Sequence, residues 1–252
     1  MIEQHHAVRP AHKYSSPCLD RVEQNELANT LKEVIFIERD TESAKIDLAL
    51  KSDFNLVDAF RIFDTRGVGF ITSQDLVDGL RMNLDFGEFC PDDIYMFFKR
   101  YDRSGRGRIT FNEFNEAVLP FSQEYAGLVT DRPEYYLRRG HDYRRFFNCD
   151  TRMEFQELWK VIFRGERAIE ILREQISKRP YLDFRAAFRC IDKDGDEFIR
   201  SWELRDFLAD SGFYATEREL QGLMYRLDHL ANGRVTQEKF SEALTPKLTQ
   251  HF

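Results

Sequence analysis

Cysteine, methionine and tryptophan are scarce: four, five and two residues in a chain of 252. The cysteines, Cys18, Cys90, Cys149 and Cys190, form no CxxC pair and no zinc-spaced cluster with histidine, so reduced thiols in a cytosolic setting are expected. Apolar runs are equally short. A stretch such as Val34 to Ile37 is far below the roughly 20 residues that cross a bilayer, and MIEQHHAVRP carries no apolar h-region, which disfavours secretion and membrane insertion. There is no GxxxxGK[ST], HExxH, GxSxG or GxGxxG, and no histidine or cysteine pattern marking a base and nucleophile pair, which disfavours an enzyme. Positive charge is in deficit, with 37 Lys+Arg against 44 Asp+Glu, and a net charge of −7 argues against a general nucleic-acid binder while leaving a local basic patch open.

Phenylalanine is abundant, at 23 residues, and 42% hydrophobic with 32% charged residues suits a folded chain with one or two domains. The sequence also matches itself. At an offset of 128, Lys32, Glu38, Arg39 and Glu42 fall on Lys160, Glu166, Arg167 and Glu170, and Ala59, Phe60, Arg61 and Asp64 fall on Ala187, Phe188, Arg189 and Asp192. At 126, Arg100, Asp102, Gly107, Phe114, Glu116 and Pro120 fall on Arg226, Asp228, Gly233, Phe240, Glu242 and Pro246. The expected organisation is an arm over residues 1–24, a lobe with its leading helix over 25–121, an Arg/aromatic connector over 122–152, and a second lobe with its leading helix over 153–252.

Each lobe opens with a long helical pattern. Asp20 with Glu23 forms a capping-box signature before Leu27, Leu31, Val34, Ile35, Ile46 and Leu50, and Thr151 with Glu154 is placed to cap a run through Phe155, Leu158, Trp159, Ile162 and Phe163 that ends before Pro180. The opposite faces alternate Glu with Lys or Arg, as in a solvated helix or one that bridges to another body. Within each lobe a shorter pattern recurs: an apolar helix face, a loop opening on Asp, an aliphatic residue at the eighth place, then another helix. The opening residues are Asp64, Asp102, Asp192 and Asp228, and the eighth residues Ile71, Ile109, Ile199 and Val235 have the β-propensity to pair adjacent loops. Phe54, Phe60, Phe63, Phe70, Phe98, Phe111, Phe114, Phe184, Phe188, Phe207 and Phe240 fall at or near helix-face positions and read as core.

These loops resemble the EF-hand superfamily, with hands paired as in calmodulin, over about residues 54 to 120 and 182 to 246. The resemblance implies an all-α fold of two hand pairs, each preceded by a long helix, and Ca2+ as cofactor. Its most specific piece is DKDGDEFIRSWE, residues 192–203. The family supplies calcium with oxygens from loop positions 1, 3, 5, 7, 9 and a bidentate Glu at 12. Asp192, Asp194, Asp196 and Glu203 occupy 1, 3, 5 and 12, the carbonyl of Phe198 serves position 7, and Arg200 leaves position 9 to a water. An inherited but empty loop is the alternative. Position 6 is Glu197 where the family has glycine, and the left-handed conformation there costs a non-glycine residue roughly 1 to 2 kcal/mol, an expected weakening of about ten- to thirtyfold. Asp102, Ser104, Arg108 and Glu113 form a weaker second metal candidate, opposed by Arg106 at position 5. Arg66 and Val68 disable the first loop, and Leu230 with Lys239 the fourth.

Residues 131–150 read DRPEYYLRRGHDYRRFFNCD, with Arg132, Arg138, Arg139, Arg144 and Arg145 interleaved with aromatics. Two readings stand: a contact surface for an acidic protein such as tubulin or actin, or a degenerate fifth hand from Phe146 to Glu157 with buried rings. The first 19 residues, with His5, His6 and His12, read as an untethered tail, a docking arm or a metal chelate. A looser resemblance in overall texture, a long helix with an ERxxE core before a Phe-rich hand pair, is to EF-hand proteins of ciliary and flagellar axonemes. It implies a cytoplasmic, cytoskeletal location and tubulin or other axonemal partners, with no nucleic acid and no membrane. A diffusible calcium sensor is the alternative, weakened by the low methionine count.

Overall fold

Asp20 starts the first helix as the sequence indicates: its carboxylate accepts from Glu23 N at 2.8 Å while the Glu23 side chain accepts from Asp20 N at 2.8 Å. The helix, α1 (Arg21–Ala49), runs 29 residues. The computed structural model describes residues 19–134, 146–179, 183–228 and 232–248. After α1 come α2 (Leu56–Arg61), β1 (Phe70–Thr72), α3 (Ser73–Asp78) and a wider π-helical turn at Gly79–Asn83. The first pair closes with α4 (Pro91–Tyr101), β2 (Arg108–Thr110) and α5 (Phe111–Val118), followed by α6 (Gln123–Thr130). A second 29-residue helix, α7 (Cys149–Ser177), leads into α8 (Phe184–Ile191), β3 (Phe198–Ile199), α9 (Ser201–Asp210), α10 (Glu217–Leu227), β4 (Val235–Thr236) and α11 (Gln237–Leu244). The fold is all-α apart from two short antiparallel ladders, in which Ile71 faces Ile109 and Ile199 faces Val235. No helix among the described residues is long and apolar enough to cross a membrane.

The cap of α7 differs from the sequence expectation. Asn148, not Thr151, is the cap: its side-chain oxygen accepts from the Thr151 amide at 2.8 Å, and the Thr151 hydroxyl donates to Asp53 in the turn after α1. The cap that wins is the one that also ties the connector to the first lobe. Because residues 149–157 are helix, the fifth-hand reading has no loop to rest on. Its buried rings are real, however: Phe146 and Phe147 pack with Phe54 and Phe155 in the first core.

The long helices do not belong to one lobe each. One core gathers the first hand pair with Leu48 and Ala49 at the end of α1 and Phe155 to Phe163 in the first half of α7. The other gathers the second hand pair with Leu27 to Ile35 from the first half of α1 and Ile169 and Ile176 from the second half of α7. Each long helix therefore threads both cores. The two approach closely at Gly165, where an added Cβ would lie 2.9 Å from Ile37 Cγ2.

The charged helix faces, expected either to be solvated or to bridge to another body, are buried where the helices cross. Glu38 and Glu166 are 3% and 2% exposed, and Glu42, Lys45, Glu170 and Arg173 are buried with them. Arg100 of α4 bonds Glu38 at 2.7 Å and Glu166 at 2.5 Å; Arg226 of α10 bonds Glu166 at 2.7 Å and also Glu38. Two carboxylates and two guanidinia thus close a ring, and its members are the self-matching positions of the sequence. One step further along, Glu42 accepts from Phe121 N at 2.9 Å and Ser122 N at 3.3 Å, while Glu170 accepts from Lys247 N at 2.6 Å and Leu248 N at 2.7 Å. Lys45 donates to the Glu116 carbonyl at 2.8 Å, and Arg173 to that of Ala243 at 2.9 Å. Burial, reinforced by Arg100, pushes Lys45 down to about 8 against the pull of Glu42, Glu38 and Glu116.

Candidate metal centre

The loop between α8 and α9 is shaped by backbone amides that close onto its acidic side chains. Asp192 accepts from Gly195 N at 2.8 Å and Glu197 N at 3.1 Å, Asp194 from Asp196 N at 3.1 Å, and Asp196 from Phe198 N at 3.0 Å. Folding the chain this tightly puts both Gly195 and Glu197 in the left-handed region, at φ 73° and 68°. One carboxylate oxygen from each of Asp192, Asp194 and Asp196 lies within 4.8 Å of the others. Glu203 is buried on the first turn of α9, with Oε1 accepting from Lys193 N at 2.8 Å and Oε2 from Arg200 N at 2.9 Å. Three carboxylates converge in this loop, and together with Glu203 at its end and the Phe198 carbonyl on the strand they offer the hard-oxygen chemistry that fits a calcium ion.

Arg200 departs from the sequence expectation. Its guanidinium bonds Asp196 and lies 3.5 Å from Asp194. The hydrogen bond from Arg200 holds the Asp196 carboxyl below its usual range, and the reciprocal bond raises Arg200.

The other loops are closed by their own side chains. In the first, Asp64 accepts from Val68 N at 2.9 Å and Gly69 N at 2.7 Å, while Arg66 from position 3 bonds Asp75 at position 12, at 3.1 Å. In the fourth, Lys239 at position 12 bonds Asp228 at position 1, at 2.8 Å. In the second, Asp102 accepts from the Ser104 hydroxyl and from Arg106 N and Gly107 N, and Glu113 accepts from Arg103 N at 3.0 Å and Thr110 N at 2.8 Å. Arg108 turns its guanidinium over the Phe70 ring, 4.8 Å from the centroid. Of the candidate residues, Asp102 and Ser104 are bonded to each other through their side chains, and Arg106 stands where a further acidic ligand would be.

Arg132 is not the outward contact that the sequence suggests. Its guanidinium donates to the carbonyls of Ala49 at 2.7 Å and Phe54 at 2.9 Å, and to that of Lys51, satisfying carbonyls at and just beyond the C-terminal end of α1. Arg138, Arg139, Arg144 and Arg145, the first 18 residues, and His229 to Ala231 of the fourth loop lie outside the described residues. Sequence reasoning passed over the ring of Glu38, Glu166, Arg100 and Arg226. Its signal was the self-match of the sequence, which repeats two acids and two bases at positions with no ligand role.

Residues 53–119 match the family model of an EF-hand domain pair. That segment is an EF-hand pair. The matched pair of hands is the one whose loops carry Arg66 and Arg106 at ligand positions. The "Probable calcium-binding protein CML11" of Oryza sativa subsp. japonica is 27% identical over 155 residues, 61% of this chain and 66% of that protein. Calcium-binding protein 7 of Homo sapiens is 32% identical over 84 residues, 33% of this chain and 37% of the relative. Calcium-binding protein 8 of Homo sapiens is 39% identical over 66 residues, 26% of this chain and 25% of the relative. The match to this chain spans just under two thirds of the first relative's length and a quarter to just over a third of the others.

Proposed function

We propose that this EF-hand protein is a non-enzymatic structural and regulatory component of a cytoskeletal assembly, in the axonemal setting that its overall texture suggests, with one calcium ion bound by Asp192, Asp194, Asp196, the Phe198 carbonyl and Glu203. The observation that carries the reading is the buried ring of Glu38, Glu166, Arg100 and Arg226. It fastens one helix from each hand pair to both long helices, which suits a body of fixed shape better than two lobes that open independently. Arg66 and Lys239 neutralise the first and fourth loops from within, so those hands serve as scaffold. Tubulin or another acidic partner surface would meet Arg138, Arg139, Arg144 and Arg145; Arg132 is no longer in that set.

A diffusible calcium sensor is the second reading, favoured by one feature: a cleft of about 810 Å³ in the first lobe, lined by Val77, Phe89, Ile94, Tyr95 and Phe98 with Arg81 and Lys99 at hand. Detergent extraction of ciliated cells expressing the tagged full chain separates the two. Retention with the axonemal fraction supports the assembly component, and complete release into the detergent-soluble fraction supports the sensor.

A further inference from the structure

Three of the four loops place a side-chain cation on a carboxylate at a ligand position, but they do so from different places. In the first loop the cation, Arg66, has replaced the ligand at position 3; in the fourth, Lys239 has replaced the ligand at position 12. In both, the carboxylate that accepts the cation stands at one end of the loop, and the ligand residue is gone. In the third loop all the acidic ligand positions are intact, and the cation comes from position 9, where the side chain is not needed as a ligand because a water can serve.

The Arg200 backbone is fixed, since its N–H is held by Glu203 at 2.9 Å, while its side chain reaches back to Asp194 and Asp196. The loop's other cation, Lys193, is drawn away to Asp210 at 3.1 Å. Arg234 of the paired loop stacks over the Phe198 ring, 5.6 Å from its centroid. Among the described residues, Arg200 is thus the guanidinium bonded to this carboxylate cluster. The two oxygens it reaches, Oδ2 of Asp194 and Oδ2 of Asp196, belong to the groups that present oxygen to an ion, so an ion and the guanidinium compete for them.

We infer that Arg200 is a resident counter-cation that sets the calcium affinity of loop 192–203, leaving the carboxylates when calcium enters and returning when it departs. This rests on the reading of that loop as the calcium site. A guanidinium that lowers the charge of the empty loop weakens calcium binding without abolishing it, unlike Arg66 and Lys239. An exposed ion pair supports an effect of about fivefold in affinity.

Calorimetric titration of the full chain with calcium chloride tests it, using wild type, Arg200→Gln, Arg200→Lys and Asp192→Ala. The expected result is calcium binding about fivefold tighter in Arg200→Gln, an intermediate gain in Arg200→Lys, which keeps the charge but loses the fork, and no binding heat in Asp192→Ala. Equal or weaker binding by both Arg200 variants, with Asp192→Ala still silent, would overturn the counter-cation role and leave the site standing. Undiminished heat in Asp192→Ala would instead overturn the site on which the role depends.

Discussion

Arg100 and Glu166, 66 residues apart in the chain, are joined by a hydrogen bond of 2.5 Å between the first hand pair and the long helix that leads to the second. The converse link, Arg226 to Glu38, spans 188 residues. Burial alone would disfavour all four charges, and their mutual pairing offsets that cost only while every partner is present. Glu38→Ala leaves two buried guanidinia sharing one carboxylate and is expected to cost about 3 to 5 kcal/mol in urea unfolding. Removing Arg100 as well should cost clearly less than the sum of the two single changes, because the second deletion removes a charge the first had stranded. Additive losses would show that the four groups do not act as a unit.

The same ring sets an acid limit. Burial raises the Glu166 carboxyl, but Arg226 and Arg100 outweigh it and bring it from 4.5 to about 2; Glu38 is lowered likewise. A depressed native value means that the unfolded chain binds more protons, so stability is fully present above about pH 4.5 and is lost as pH falls towards 2. Urea midpoints followed across that window should fall steeply in wild type. Glu166→Gln, less stable at neutral pH, should lose roughly 3 kcal/mol less over the same interval.

Gly165 tests the crossing of the two long helices. Alanine is the better helix former by about 1 kcal/mol, yet its Cβ would press on Ile37 at 2.9 Å, and overpacking costs typically about 1 to 3 kcal/mol. Gly165→Val is expected to lower the melting temperature, and Ile37→Ala in the same chain should restore part of the loss.

Glu197 stands at φ 68° on an exposed turn, with its amide bonded to Asp192 at 3.1 Å. Glu197→Gly should stabilise the fold by about 1 to 2 kcal/mol by removing the left-handed strain. Thermal melts of the two chains check this, and an unchanged melting temperature would place no strain at the turn.

What was legible in the sequence follows periodicity. The helix starts at Asp20, the loop openings, the facing pairs Ile71 with Ile109 and Ile199 with Val235, and the left-handed Glu197 are local consequences of spacing and residue type. The swapped halves of α1 and α7 were not legible, since apolar residues such as Leu27 and Trp159 mark a buried face without saying which body covers it. Nor was the burial of Glu38 and Glu166, because a charge on a helix face reads the same in sequence whether water or a guanidinium meets it. Arg132 was misread for a similar reason: an arginine among tyrosines looks like a contact surface until the open carbonyls at the end of α1 come within its reach. The deficit of positive charge also has a location. Residues 25–121 carry 18 acidic against 12 basic residues, whereas 159–252 carry 16 of each, so the candidate ion site is a local acidic cluster in an otherwise neutral half.

Equilibrium dialysis against calcium, with the ions counted per chain, tests the central claim most directly. The account predicts one ion per wild-type chain, none in Asp192→Ala or Glu203→Gln, and still one when Asp102 or Asp64 is replaced by alanine. Two or more ions per wild-type chain, or one that survives Asp192→Ala, would contradict it.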